Sequence, residues 1–129
     1  MKFIEIDKLI IIEGVGPKKA KRLKNKILKD GVWISPICVD KEYFLIMDGH
    51  HRFEVAKQLG FKHIPCKLYS YDEVEVWSMR KSHIVTKELI IKRALSGNVY
   101  PYKTVKHKFP GGHPKSSVPI DLLLNNDKD

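Results

Sequence analysis

Apolar positions in this chain fall into short extended runs broken by stripes at helical spacing. Phe3-Ile4-Glu5-Ile6 predicts a first strand over 2–6, and Asp7-Lys8-Leu9 turns the chain. The apolar triplet Ile10-Ile11-Ile12 then gives way to Glu13-Gly14-Val15-Gly16, which breaks the pattern. Pro17 suits the first turn of a helix, Ala20, Leu23 and Ile27 recur along one face of it, and Asp30-Gly31 ends it. A strand is predicted over 32–39, bent or placed at an edge by Ser35-Pro36. Asp40-Lys41-Glu42 turns it into a second strand over 43–47, and the two are predicted to pair as a hairpin. A helix over 48–59 follows, with Val55, Ala56 and Leu59 on one side and Gly60 at its end. A further strand covers 64–69. The order strand, helix, strand, strand, helix, strand predicts an α+β (mixed α/β) domain, a small mixed sheet with helices packed on it.

Beyond that core, 72–79 reads as a short helix that packs through Val74, Val76 and Trp77. Thr86 caps another helix through Leu95, stopped by Ser96-Gly97-Asn98. The segment 99–110 reads as a loop dense in Lys, His and Tyr, and an apolar run over 120–124 precedes a tail, 125–129, predicted to fray. No internal repeat is present, and one domain over 1–124 is expected.

Composition narrows the class. Hydrophobic residues make up 43% of the 129, enough for a core, while 30% are charged and no run of about 18 apolar residues exists to span a bilayer. The first seven residues are too acidic and too short in apolar length for a signal peptide, which favours the cytoplasm and no membrane partner. Cys38 and Cys66 lie far apart in apolar stretches and read as buried, reduced thiols. The net charge of +9 admits nucleic-acid binding, or a basic pocket for a nucleotide plus a solvated face. Much of the excess (Lys18, Lys19, Lys21, Arg22, Lys24, Lys26, Lys29) belongs to one predicted helix, and the solvated face is the reading preferred.

Three stretches can carry chemistry. In the first, Asp48-Gly49-His50-His51-Arg52, an apolar strand enters a helix through a glycine turn. Such a junction aims free backbone N–H groups and the helix dipole at one point, which suits a phosphate. His50, His51 and Arg52 add side-chain donors, and Asp48 adds a carboxylate able to hold a divalent metal or polarise a hydroxyl. The second, from Gly97 to Pro110, gathers Tyr100, Tyr102, Lys103, Thr104, Lys106 and His107 where they can grip an anion. The third is Glu13, a carboxylate in a Gly-rich turn, of the kind that serves as a base or simply faces solvent. Adjacent histidines on a helix do not readily share one metal and no third ligand is evident, which argues against zinc. Gly14-Val15-Gly16-Pro17 is too short, and Pro-terminated, for a Walker-type loop.

The Asp-Gly-His-His-Arg run between an apolar strand and an apolar helix resembles the phosphate-binding motif of the ParB/sulfiredoxin-like superfamily, and within it the chain is most similar to the free serine kinases. Thr86-Lys87-Glu88 and the order of residues from Gly97 to Pro110 carry the likeness further. It departs where Tyr102 separates Pro101 from Lys103, where Val105 stands for a second Thr, and where Lys106 stands for Arg. Lysine there keeps the charge and loses the planar fork. The segment between the two matching regions, about 70–85, is short where larger relatives carry more.

The resemblance implies a kinase that phosphorylates free L-serine to O-phosphoserine with ATP or ADP and Mg²⁺. By that likeness Glu13 is the catalytic base and Asp48 positions metal and hydroxyl. Gly49, His50, His51 and Arg52 bind the nucleotide phosphates, and Lys103, Thr104, Lys106 and His107 bind the amino acid. The competing readings are a ParB-like DNA- or nucleotide-binding regulator, or a nuclease. Against the first stands the absence of a helix-turn-helix pattern after the core.

Overall fold

The computed structural model describes residues 1–124; the tail expected to fray lies outside the described residues. Its centre is a four-stranded mixed sheet of β1 (Lys2–Glu5), β3 (Ile37–Asp40), β4 (Ile46–Asp48) and β5 (His63–Tyr69), in the order β1-β5-β3-β4. β5 runs antiparallel to β1 and parallel to β3, and β3 pairs antiparallel with β4 as the hairpin pattern predicts. Successive side chains on these strands point to opposite faces, so the apolar runs feed two cores. One core takes Ile37, Val39, Ile46 and Ile64 and is covered by α1 (Pro17–Asp30) and α2 (His50–Gln58). The other takes Cys38, Leu45, Met47 and Tyr69 and packs against Ile90 and Ala94 of α3 (Lys87–Leu95). A sheet covered on both faces accounts for strands that read as continuous apolar runs.

The helix boundaries follow local chemistry. Pro17 opens α1, and Gly31, in the left-handed region at φ +70°, closes it. Thr86 caps α3 by accepting from the Leu89 amide at 3.1 Å. Both cysteines are buried and free, and burial pushes each thiol up to about 12, so they remain protonated. Among the described residues no helix is long and apolar enough to cross a membrane.

Three expectations need correction. The stretch over 32–39 is two strands: β2 (Val32–Ile34) leaves to pair with β8 (Ser117–Pro119), and β3 joins the central sheet. The break falls at Ser35, whose φ of +67° turns the chain. The helix expected over 72–79 is a 3-10 turn, Tyr71–Glu73, followed by strand β6 (Glu75–Ser78). A capping box between Ser70 and Glu73 starts the turn, and the alternation Val74, Glu75, Val76, Trp77 then gives an extended segment with its valines inward. The 99–110 loop contains β7 (Val105–Lys108), the antiparallel partner of β6, with Val76 opposite His107. The short helix α4 (Ile120–Leu124) places Leu123 in the first core.

Candidate active site

The β4 edge of the sheet is extended by irregular chain. The Ile10 amide donates to Phe44 O at 2.9 Å and the Ile46 amide donates to Ile10 O at 2.8 Å. On its far side the same segment pairs with Tyr100: the Tyr100 amide donates to Ile12 O and the Gly14 amide to Tyr100 O, both at 2.9 Å. Glu13 is thereby fixed beside the β4–α2 junction on one side and the C-terminal loop on the other. At the junction Gly49 takes φ +108°, and a Cβ there would lie 3.0 Å from both Ile37 Cγ1 and Arg52 Nη2. Only glycine lets the chain turn this closely into α2.

A cavity of about 320 Å³ opens at this point, lined among others by Glu13, Asp48, Gly49, His50, His51, Arg52, Lys103, Lys106 and His107. Lys19, Met79 and Tyr102 line it as well. The first turns of both α1 and α2 face this region. Each helix is preceded by a glycine, carries no capping side chain and has no acidic residue in its first turn. Two sets of unsatisfied amides and two positive dipole ends thus converge with Lys19, Lys103 and Lys106 on one concavity, an arrangement complementary to a polyanion.

The histidines are held as neutral donors. Nε2 of His50 accepts from the Ile12 amide, and Nε2 of His51 accepts from the Gly16 amide, both at 3.1 Å. A backbone amide can only donate, so each ring carries its proton on Nδ1. Burial drives His50 down to about 3 and lowers His51, to which Lys19 and Lys103 add repulsion. Burial likewise drives His107 down to about 3. Both nitrogens fixed by backbone amides are unavailable to a metal.

Arg52 is largely engaged by the protein itself. Its Nη1 donates to the carbonyls of Ile34, Ser35 and Pro36, and Nη2 lies 3.6 Å from Asp48. It clamps the β2–β3 turn to α2 while presenting one edge to the cavity. Arg52→Ala would leave those carbonyls without a donor and is expected to lower stability by about 2–4 kcal/mol in urea denaturation. Arg52→Lys should recover only part of that, because the fork is lost.

Burial raises Glu13 above the ordinary carboxyl value, opposed by the amides of Thr104 and Val105. The Thr104 amide donates to Glu13 Oε2 at 3.0 Å. Thr104 itself is set back from the cavity: it is fully buried and its hydroxyl donates to Pro101 O at 2.6 Å. Lys103 precedes it in the left-handed region, φ +59°, which turns the following amide toward the carboxylate. Arg80 Nε donates to Tyr102 O at 3.1 Å and braces the same loop.

Lys19 was legible only as one of many helix lysines; its place two residues after Pro17, in a first turn, is the signal that distinguishes it. Asp48 stands at the rim, 3.6 Å from both Arg52 and His113. Among the described residues no group of three His, Cys, Asp or Glu could hold a metal ion. A single rim carboxylate suits a magnesium ion that arrives already bound to phosphates, not a resident ion in a protein cage.

The ParB N-terminal domain family matches residues 2–82. An ATP-dependent L-serine kinase of Staphylothermus marinus is 36% identical over 77 residues, covering 57% of this chain and 31% of the relative. An ADP-dependent L-serine kinase of Thermococcus kodakarensis is 30% identical over 82 residues, covering 59% of this chain and 34% of the relative. The chain thus spans about a third of the length of these curated relatives. Among solved structures, a free serine kinase in complex with AMP superposes with a TM-score of 0.85 at 18% identity, covering 95% of this chain and 92% of that one. That likeness establishes the fold.

Proposed function

The chain belongs to the ParB N-terminal domain family, and from that footing we propose that it is a kinase transferring a phosphoryl group from an adenine nucleotide to the hydroxyl of free L-serine. The observation that carries this reading is the juxtaposition, in one cavity, of a carboxylate of raised pKa with two uncapped helix N-termini. The anion-binding side suits the nucleotide phosphates. The carboxylate suits the removal of a hydroxyl proton. The names of the similar proteins, L-serine kinases using ATP in one case and ADP in the other, supply the substrate class.

In the proposed reaction the serine hydroxyl oxygen attacks the terminal phosphorus of the nucleotide. The bond from that phosphorus to the bridging oxygen breaks, and the shortened nucleotide leaves. Glu13 takes up the hydroxyl proton as the new P–O bond forms, and its raised pKa brings it closer to neutrality, where a base is more effective. The first-turn amides of α1 and α2, the Nδ1–H groups of His50 and His51, and Lys19 hold the phosphates in line and offset the charge of the transferring group. Asp48 is the residue placed to hold Mg²⁺ accompanying the phosphates, which would neutralise charge on them. Lys103, Lys106 and His107 line the acceptor side, and Thr104 acts through its amide on Glu13.

Incubation with L-serine, Mg²⁺ and either ATP or ADP, followed by mass spectrometry, is expected to give O-phosphoserine with at least one donor. A folded protein that binds nucleotide yet yields no O-phosphoserine with either would overturn the assignment. Asp48→Ala should reduce product formation and raise the Mg²⁺ concentration needed for half-maximal rate, which a purely structural role would not do.

A further inference from the structure

The segment 100–105 runs between two others. On one side Glu13 bridges to Tyr100, and the Thr104 amide donates to the Glu13 carboxylate at 3.0 Å. On the other side the segment continues the β6–β7 ladder: Ser78 lies opposite Val105, and the Met79 amide donates to Thr104 O at 2.8 Å. The next residue along, Arg80, reaches across with its side chain and donates to Tyr102 O from both Nε and Nη2, the first at 3.1 Å. Ser78 holds the turn that carries Arg80: its Oγ donates to Arg80 O at 2.7 Å and accepts from the Arg80 amide at 3.0 Å. Between the engaged Tyr102 and Thr104 lies Lys103 at φ +59°. A side chain in that region is strained and persists only where its surroundings hold it. The peptide plane before Lys103 carries the Tyr102 carbonyl, and the plane after it carries the Thr104 amide. If Lys103 relaxed to a negative φ, the two planes would turn relative to each other, and that carbonyl and that amide could not both keep their partners.

We propose that Arg80 is a positioning residue for the phosphoryl transfer: by gripping the Tyr102 carbonyl it holds Lys103 in its strained conformation and so keeps the Thr104 amide on the Glu13 carboxylate. The proposal rests on the kinase reading and adds to it a residue that belongs to none of the three chemistry-bearing stretches. Arg80 is exposed, so its charge is screened by solvent and salt. Its hold comes instead from geometry. Two donors fixed in one rigid plane converge on a single oxygen, which the lone ammonium of a lysine on its flexible stem does not reproduce. The short 70–85 segment thus does more than close the fold: through β6 and the turn after it, it sets the far side of the loop whose near side anchors the carboxylate.

Amide hydrogen exchange followed by NMR reads this hold without any assay of activity. In Arg80→Ala the Thr104 amide is expected to exchange about tenfold faster than in wild type, while the Tyr100 amide, bonded to Ile12 O, keeps its protection. An unchanged Thr104 amide overturns the proposal, and so does equal acceleration at both positions, which would mark a general loss of stability. In steady-state assays Arg80→Ala should lower kcat with L-serine by about tenfold and leave KM for the nucleotide unchanged. Arg80→Lys should recover only part of that loss. In a Glu13→Gln background Arg80→Ala should add nothing further, because the base it aligns is already gone. An undiminished loss there, or a loss confined to the nucleotide KM, overturns the proposal. If wild type phosphorylates no L-serine, the kinase reading fails on that result alone. The Thr104 exchange rates still decide, independently, whether Arg80 holds the amide against Glu13.

Discussion

Glu13→Gln is expected to lower kcat by about 10²–10⁴-fold while leaving nucleotide affinity unchanged, as loss of a general base does. Glutamine is nearly the same size, and its carbonyl oxygen can still accept from the Thr104 amide, so the loop should stay in place. The pH dependence supplies a second, independent readout. Burial raises Glu13, and as the proposed base it would work only as the carboxylate. The acid limb of kcat/KM should therefore fall at a pH above the ordinary carboxyl value, with activity lost as pH drops through the raised pKa and retained above it. Stability should run the other way. A carboxyl whose folded pKa lies above its unfolded value binds protons more tightly when folded, so folding gains as pH falls and the ionised form weakens it at neutral pH. Glu13→Gln should consequently raise the melting temperature at pH 7 and leave it little changed at pH 4. An unaltered rate in Glu13→Gln would remove this residue from the chemistry.

Gly49→Ala should damage both fold and binding. At φ +108° an L side chain is strained, and the new Cβ would meet Ile37 Cγ1 and Arg52 Nη2 at 3.0 Å. Ile37 is fully buried in the first core, and Arg52 is tethered to three carbonyls, so neither yields easily. The expected cost is about 2–4 kcal/mol in urea denaturation. Because the first turn of α2 must shift, nucleotide affinity should also fall by about tenfold or more in calorimetry. Gly60→Ala is the matched control. It has positive φ, +75°, but nothing within 4 Å of the new Cβ, so it should cost only about 1 kcal/mol and spare affinity. Equal effects at the two positions would show that crowding at the β4–α2 turn is unimportant.

Where residues signalled their structure locally, sequence reading sufficed. Pro17 and Gly31 bracket α1, Thr86 opens α3, and the apolar runs of β3, β4 and β5 bear out the mixed sheet. The stretch after Tyr69 was harder because two local signals conflict. The Ser70–Glu73 capping box announces a helix, while Val74-Glu75-Val76-Trp77 alternates as a strand should. Pairing with β7 decides for the strand, and that partner lies far along the chain. The same distance hid the roles of side chains. Nothing near Thr104 in sequence says that its amide would be taken by a residue 91 positions earlier. Nothing near His50 or His51 says that backbone amides from the 12–16 segment would set their tautomers. Donor type was legible at these positions; which donors remain free was not.

The pairing of Glu13 and Gly14 with Tyr100 and Thr104 bears on the order in which the molecule is made. Every strand of the central sheet, and with it the glycine turn, has been synthesised once Tyr69 is added. The Glu13 carboxylate gains its amide anchor only when the chain beyond Tyr100 arrives and closes a loop of that length, a slow event by its contact order. A nascent chain is therefore expected to pass through a stage in which the residues of the glycine turn are present and the Glu13 carboxylate is still unanchored. At that stage an anion held by the turn would have no anchored carboxylate beside it.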